Sequence, residues 1–164
     1  IALFDQLQKL PALSNVLMLQ VNPGSEMTDQ WFVERSAFGL CEAWANALTL
    51  ERTIASTATG WAQAMRAYGA WLVVLGKSDN ALVRINMREK GEHALIFTAP
   101  DLAEHFLKGL PNNGGSACKT ASVPGEQLFK FLGGSGVKGF IANANSAQTR
   151  VFDAEAAKTI LAAA

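Results

Sequence analysis

The stretch that decides the fold is YGAWLVVLGKSDNALVRINMREKGEHALIFTAPDLAEHFLKGL, residues 68–110. Its first apolar run, 71–75, lies between two glycines and has the length of a buried strand. The turn sequence SDN is followed by alternating apolar and polar residues over 82–88, and EKGE precedes a third apolar run, HALIFT. We therefore predict an antiparallel meander of three strands over 71–98.

A helix is predicted directly after these strands. Thr98 stands three residues before Asp101, with Pro100 in the first turn, and this spacing is typical of a capped helix start. Phe106 lies on the apolar face of the helix, which is expected to end near Gly109.

The remainder of the chain continues the alternation of strands and helices. NNGGS is predicted to be a loop, ACKTASV a strand, and 125–132 a helix that opens at Pro124 and ends at Gly133 and Gly134 in a left-handed cap. Strands at 137–142 and 149–152 and a last helix capped by Asp153 follow. The predicted fold class is α+β, with a mixed, mostly antiparallel sheet packed against helices.

Gly134, Gly136 and Gly139 have the spacing G-x-G-x-x-G, which also occurs in dinucleotide-binding loops. Such a loop needs a strand before the glycines and a helix after them, because the phosphate binds amides at the helix N-terminus. Here the predicted order is the reverse. We therefore interpret the glycines as a helix end and a turn, and we expect no cofactor.

Two parts of the sequence resemble each other at a separation of about 120 residues. Each has Leu-Phe on a predicted helix, a breaker, an apolar strand and then a polar turn, in which Asn22 corresponds to Asn143, Ser25 to Ser146 and Gly24 to Asn145. We predict one full repeat unit, 69–164, and a partial unit with connecting helices, 1–68, within one compact domain. The connecting helices are expected around 38–48 and 60–68, with TIASTATG as the loop between them.

Composition excludes several classes of function. The 14 basic and 14 acidic residues cancel, so the chain has no charge excess of the kind that nucleic acid or an anionic membrane surface attracts. The apolar runs are far shorter than the ~20 residues that span a bilayer. With two cysteines and two histidines, no disulfide framework and no metal site are expected, and reduced thiols indicate a cytoplasmic location.

The motifs resemble those of the SseB family, named for enhanced serine sensitivity. The matching stretches are IFTAPDLAEHF at 96–106, ASVPGEQLFKFL at 121–132, and the turns VNPGS at 21–25 and ANANS at 142–146. The second turn departs from the family pattern, with Ala144 and Asn145 where Pro-Gly is expected. The resemblance implies a bacterial, cytoplasmic α+β protein of unknown function, without a settled biochemical activity.

The polar turns are the candidate ligand-binding residues: Asn22, Ser25, Asn143, Asn145 and Ser146. Asn side chains and backbone amides at strand ends recognise small polar groups. The competing interpretation, which we favour, is an Asx turn, in which the Asn side chain bonds its own backbone two residues on.

Trp31, Trp44 and Trp61 are candidate interface residues, because tryptophan is enriched in interface anchors and an incomplete unit leaves aromatic surface to be covered. No catalytic constellation is recognisable, so we predict no enzyme. The expected function is a non-catalytic module that forms a homodimer or binds a partner protein. The alternative is a small polar-ligand-binding protein or weak hydrolase that uses the Asn-Ser turns or Cys118.

Overall fold

The computed structural model describes residues 18–21, 31–34, 38–56 and 60–163 of the chain. The chain divides into two compact units, 1–46 and 47–164. The boundary between them falls within a helix, α1 (Phe38–Ser56). This boundary differs from the sequence-based one after residue 68. The reason is that Leu50 and Met65 are buried in the core of the second unit.

The first unit contains an antiparallel pair of strands, β1 (Met18–Val21) and β2 (Trp31–Glu34). Met18 lies opposite Glu34, and Val21 lies opposite Trp31. Helix α1 follows β2 in the chain and extends to Ser56, so the first half of TIASTATG is helical rather than part of a loop.

The second unit contains, in chain order, α2 (Trp61–Ala67), β3 (Trp71–Gly76), β4 (Arg84–Asn86), β5 (Glu92–Phe97), α3 (Pro100–Lys108), β6 (Cys118–Val123), α4 (Gly125–Gly134), β7 (Gly139–Ala142), β8 (Arg150–Asp153) and α5 (Ala154–Ala162). Its six strands form a mixed sheet in the order β6-β3-β5-β7-β8, with β4 also paired to β5. Strands β5 and β7 are parallel, and the other pairs are antiparallel. The α+β prediction is therefore confirmed.

The core lies on both faces of this sheet. On one face, Trp71 and Phe140 pack against α2, α4 and α5, and the Trp71 indole N–H donates to the carbonyl of Met65 at 2.9 Å. On the other face, Phe97 packs against Phe106 of α3. Strand β5 is buried on both faces, which explains why its sequence is a continuous apolar run.

Two parts of the chain have the same order of elements, and the predicted repeat itself stays a prediction. The strand pair β1 and β2 followed by α1 has the same order and antiparallel pairing as β7 and β8 followed by α5. Each pair has four register partners. Asn143 directly follows Ala142, the last residue of β7, whereas the predicted turn at Asn22 lies outside the described residues.

Three local predictions were wrong. Strand β4 is three residues long and pairs with β5, whereas the link to β3 is an isolated bridge between Leu75 and Leu82, a residue that precedes β4. Strand β3 pairs with β5 directly instead of forming a meander. NNGGS belongs to a 3₁₀ helix, Pro111–Ala117. The left-handed glycine after α4 is Gly136, with φ 75°, and α4 continues through Gly134.

The capping prediction for α3 was also wrong. Ala99 is the N-cap of this helix, and no side chain caps it. The hydroxyl of Thr98 instead bonds Asn143, because a buried tertiary partner replaces the local helix amides. By contrast, the Asp153 cap is confirmed, since its carboxylate accepts from the amide of Ala156 at 3.0 Å.

Candidate functional site

A buried polar cluster lies where the parallel strands β5 and β7 end. Thr98 directly follows β5, and Asn143 directly follows β7. The carboxyl ends of parallel strands lie at the same edge of a sheet, where ligands bind in many α/β proteins. This edge of the sheet is therefore a candidate binding site.

Asn143 is fully buried, with 0% of its surface exposed, and has a left-handed backbone with φ 53°. Its Oδ1 accepts from the amide of Thr98 at 2.9 Å and faces the Thr98 hydroxyl at 3.2 Å. Its Nδ2 donates to Oε1 of Glu51 at 3.0 Å, and its backbone amide donates to the carbonyl of Ile96 at 2.9 Å. Both ends of the Asn143 side-chain amide are thus bonded within the protein.

Glu51 connects α1 to this cluster. Its second carboxylate oxygen accepts from Nε of Arg150 at 3.2 Å. The Glu51 side chain is 13% exposed, whereas that of Arg150 is 40% exposed. The carboxylate is therefore largely removed from water and compensated by one charged and one neutral donor.

The turn after Asn143 is held by its own hydroxyl groups. Ser146 Oγ donates to the carbonyl of Asn143 at 2.7 Å. Thr149 Oγ1 lies 2.8 Å from the same carbonyl and accepts from the amide of Ser146 at 3.1 Å. Asn145 is exposed and also left-handed, with φ 61°.

These contacts differ from both interpretations of the Asn-Ser turn. The Asn143 side chain bonds Thr98 and Glu51 instead of forming an Asx turn with its own backbone. These bonds also occupy Oδ1 and Nδ2 of Asn143, the atoms that would otherwise contact a ligand. Asn22 and Ser25 lie outside the described residues.

Tyr68 extends the cluster toward α2. Its hydroxyl donates to the carbonyl of Thr98 at 2.6 Å, and its ring packs edge-on against Trp71 with centroids 5.2 Å apart. Burial raises the pKa of Tyr68 from 10.0 to about 12, so the hydroxyl stays protonated and donates across the ordinary pH range.

Glu51, Thr98, Arg150 and Tyr68 were not identified from the sequence as parts of this cluster. Glu51 and Asn143 are 92 residues apart in sequence. No local pattern indicates such a pair. The one sequence signal for this edge is the correspondence of the turn after Asn143 with the turn after Asn22.

Cys118, the other candidate for chemistry, lies at the start of the edge strand β6 and is partly buried. Its Sγ lies 3.5 Å from the carbonyl oxygen of Gly114, the acceptor of its S–H. Within the described residues, no group of three His, Cys, Asp or Glu side chains is arranged to hold a metal ion.

Large apolar side chains are exposed at a second candidate site. Trp44 is 54% exposed and Leu48 is 51% exposed, and they lie four residues apart on α1. Phe131 and Val151 are the other exposed large apolar side chains of the described part, at 55% and 47%.

The three predicted interface tryptophans have different environments. Trp44 is exposed on α1. Trp61 is partly buried and stacks on Phe152, with ring centroids 5.9 Å apart, so most of its surface is used in core packing. Trp31 lies in β2, and its side chain is outside the described part.

Among the helices that the structure describes, none is long and apolar enough to cross a membrane. Comparison of the chain with known protein families found no match, and comparison with curated proteins found no significant similarity.

Proposed function

We propose that this chain is a non-catalytic protein–protein interaction module that self-associates through the exposed side of α1. The observation that carries the proposal is the placement of Trp44 and Leu48 on adjacent turns of one helix, each with about half of its surface exposed. Single exposed apolar residues are ordinary on protein surfaces, but adjacent large ones are characteristic of contact sites.

The burial pattern of α1 supports this proposal. Ala47 and Leu50 are buried, and Glu51 and Ile54 are partly buried on the same side of the helix. Leu48 and Arg52 are exposed on the other side. One face of the helix is therefore buried in the core of the second unit, while Leu48 on the other face remains exposed to solvent.

The energy available from this surface is useful but small. Two half-exposed leucines that become covered in a dimer bury about the area of one complete side chain, which stabilises by ~1.5–3 kcal/mol. Tryptophan adds a larger area and is enriched among residues that dominate binding energy.

The family and location are part of the same proposal. We propose an SseB-like, bacterial protein on the sequence resemblance of the stretches 96–106 and 121–132. The free thiol of Cys118 supports a reducing, cytoplasmic compartment.

The ligand-binding alternative has less support. The Asn143 amide, the Ser146 hydroxyl and the Thr149 hydroxyl are each bonded to protein atoms, so a ligand would have to displace internal hydrogen bonds. Asn143 is the buried member of the three, and displacing its bonds costs ~1–3 kcal/mol unless the ligand bonds the amide again.

Sedimentation of two charge variants tests the proposal. Leu48→Glu places a carboxylate in the contact and is expected to raise the dimer dissociation constant about tenfold or more, because losing ~1.4 kcal/mol corresponds to a factor of ten. Phe131→Glu is the matched control, since Phe131 has a similar exposure on α4. Equal dissociation constants for wild type and Leu48→Glu would reject α1 as the contact surface.

A further inference from the structure

We infer that α1 pairs with α1 of a second copy in antiparallel orientation, with Leu48 on the twofold axis. This inference rests on the proposed function and names its partner. It starts from three exposed side chains in one row of the helix: Trp44, Leu48 and Arg52.

The spacing of the row makes it complementary to itself in one orientation. Consecutive members are four residues apart, which is a rise of ~6 Å along the helix. In an antiparallel pair centred on Leu48, each Trp44 therefore lies beside the partner's Arg52. A guanidinium over an indole face is a favourable cation–π arrangement.

A parallel pair would have the opposite electrostatics. It would place the two Arg52 side chains beside each other, and like charges in contact repel. Arg52 is exposed, and no ion pair of the described residues neutralises it. The charge therefore favours the antiparallel arrangement.

A second copy fits this row better than a strongly charged partner does. The chain has 14 basic and 14 acidic residues, so it offers no net charge for attracting such a partner. The row has an aromatic end, Trp44, and a cationic end, Arg52. A second copy places an Arg52 beside each Trp44. Twofold symmetric dimers are also the commonest oligomers.

The size of the contact sets the expected affinity. One pair of helices buries less than the ~1,200 Å² at the lower end of stable interfaces. A weak dimer, with a dissociation constant of about 1 μM or above, is therefore expected.

Disulfide trapping tests this geometry on the full chain. In a background with Cys41→Ser and Cys118→Ser, a cysteine at the twofold axis faces its own copy. Leu48→Cys is therefore expected to cross-link to a covalent dimer on mild oxidation. Arg52→Cys is the matched control, because the two copies of residue 52 would be separated by ~12 Å along the helix axis. A disulfide needs Cα atoms within ~7 Å of each other.

A mixture of two variants tests the orientation. Trp44→Cys with Arg52→Cys is expected to form a mixed disulfide dimer, while Arg52→Cys alone is expected to form almost none. Mass spectrometry of the non-reduced dimers identifies which chains are joined.

The outcomes separate this inference from the proposed function. Cross-linking of Leu48→Cys and of the mixture, but not of Arg52→Cys alone, supports the antiparallel pair. A dimer by solution mass whose Leu48→Cys form does not cross-link, or whose Arg52→Cys form cross-links equally well, overturns the inference and leaves self-association standing. A monomer at every concentration overturns both.

Discussion

Replacement of Asn143 by alanine tests the buried cluster at the ends of β5 and β7. The change leaves the amide of Thr98 without its acceptor at 2.9 Å and Glu51 without a donor at 3.0 Å. A buried polar group without a partner costs ~1–3 kcal/mol, and a left-handed backbone costs alanine ~1–2 kcal/mol. We therefore expect Asn143→Ala to lower the free energy of unfolding by about 2–4 kcal/mol, allowing for partial relaxation.

Asn145→Ala is the matched control for this prediction. Asn145 has the same residue type, the same turn and a similar φ, 61°, but it is exposed. Its replacement should cost only the backbone strain, ~1–2 kcal/mol.

Urea unfolding followed by circular dichroism measures both variants. The difference between them isolates the hydrogen bonds of the Asn143 side chain. If the two variants lose the same free energy within ~0.5 kcal/mol, the buried cluster does not stabilise the fold and the reasoning is refuted.

Three further predictions concern single residues. Tyr68 is the only tyrosine, so phenolate absorbance reports it directly: the native protein should titrate near about 12 and the unfolded chain near 10.0. Because the native state keeps a proton that the unfolded state loses, the free energy of unfolding should fall from about pH 10 upward. This fall should be smaller in Tyr68→Phe. A native titration near 10 would contradict the burial of the Tyr68 hydroxyl. Glu51→Gln keeps an acceptor and loses the charge that faces Arg150, so denaturant unfolding should show a loss below ~1 kcal/mol, against ~1–3 kcal/mol for Glu51→Ala; equal losses would show that the acceptor is unimportant. Gly139→Ala should destabilise by ~3 kcal/mol or more in thermal melts, because its Cβ would overlap a backbone carbonyl of β8, whereas Gly134→Ala meets nothing within 4 Å and should stabilise α4 slightly; similar melting temperatures for the two would contradict this packing.

Elements with a strong local signal could be predicted from the sequence. The apolar run from Trp71, the amphipathic face around Phe129 and the cap at Asp153 all rest on neighbouring residues. The same applies to the G-x-G-x-x-G stretch, where the predicted order of helix and then strand is found: Gly134 is the last residue of α4, and Gly139 is the first residue of β7. In each case the local preference and the tertiary packing agree.

Elements decided by distant partners could not be predicted. Thr98 has the spacing of a helix cap, yet Asn143 competes successfully for its hydroxyl across 45 residues. The meander failed because β5 offers β3 a direct pairing at Leu72 and Val73, which leaves β4 beside one end of β5 only. Local sequence contains neither partner.

The candidate site shows the same division. Asn143 is a sequence-based candidate because its turn corresponds to that of Asn22, but the Glu51 carboxylate that bonds it comes from a helix far away in sequence. The sequence alone does not distinguish the interface tryptophans from those of the core. Only packing separates Trp61, which stacks on Phe152, from Trp44, which is exposed.

The solution mass of the unmodified chain over a concentration series, measured by light scattering, tests the central claim most directly. The mass is expected to rise from the 17.5 kDa of one chain toward twice that value, and to rise less for Leu48→Glu than for Phe131→Glu at each concentration. A mass that stays at one chain throughout would contradict self-association, and an identical rise in both variants would contradict the role of α1.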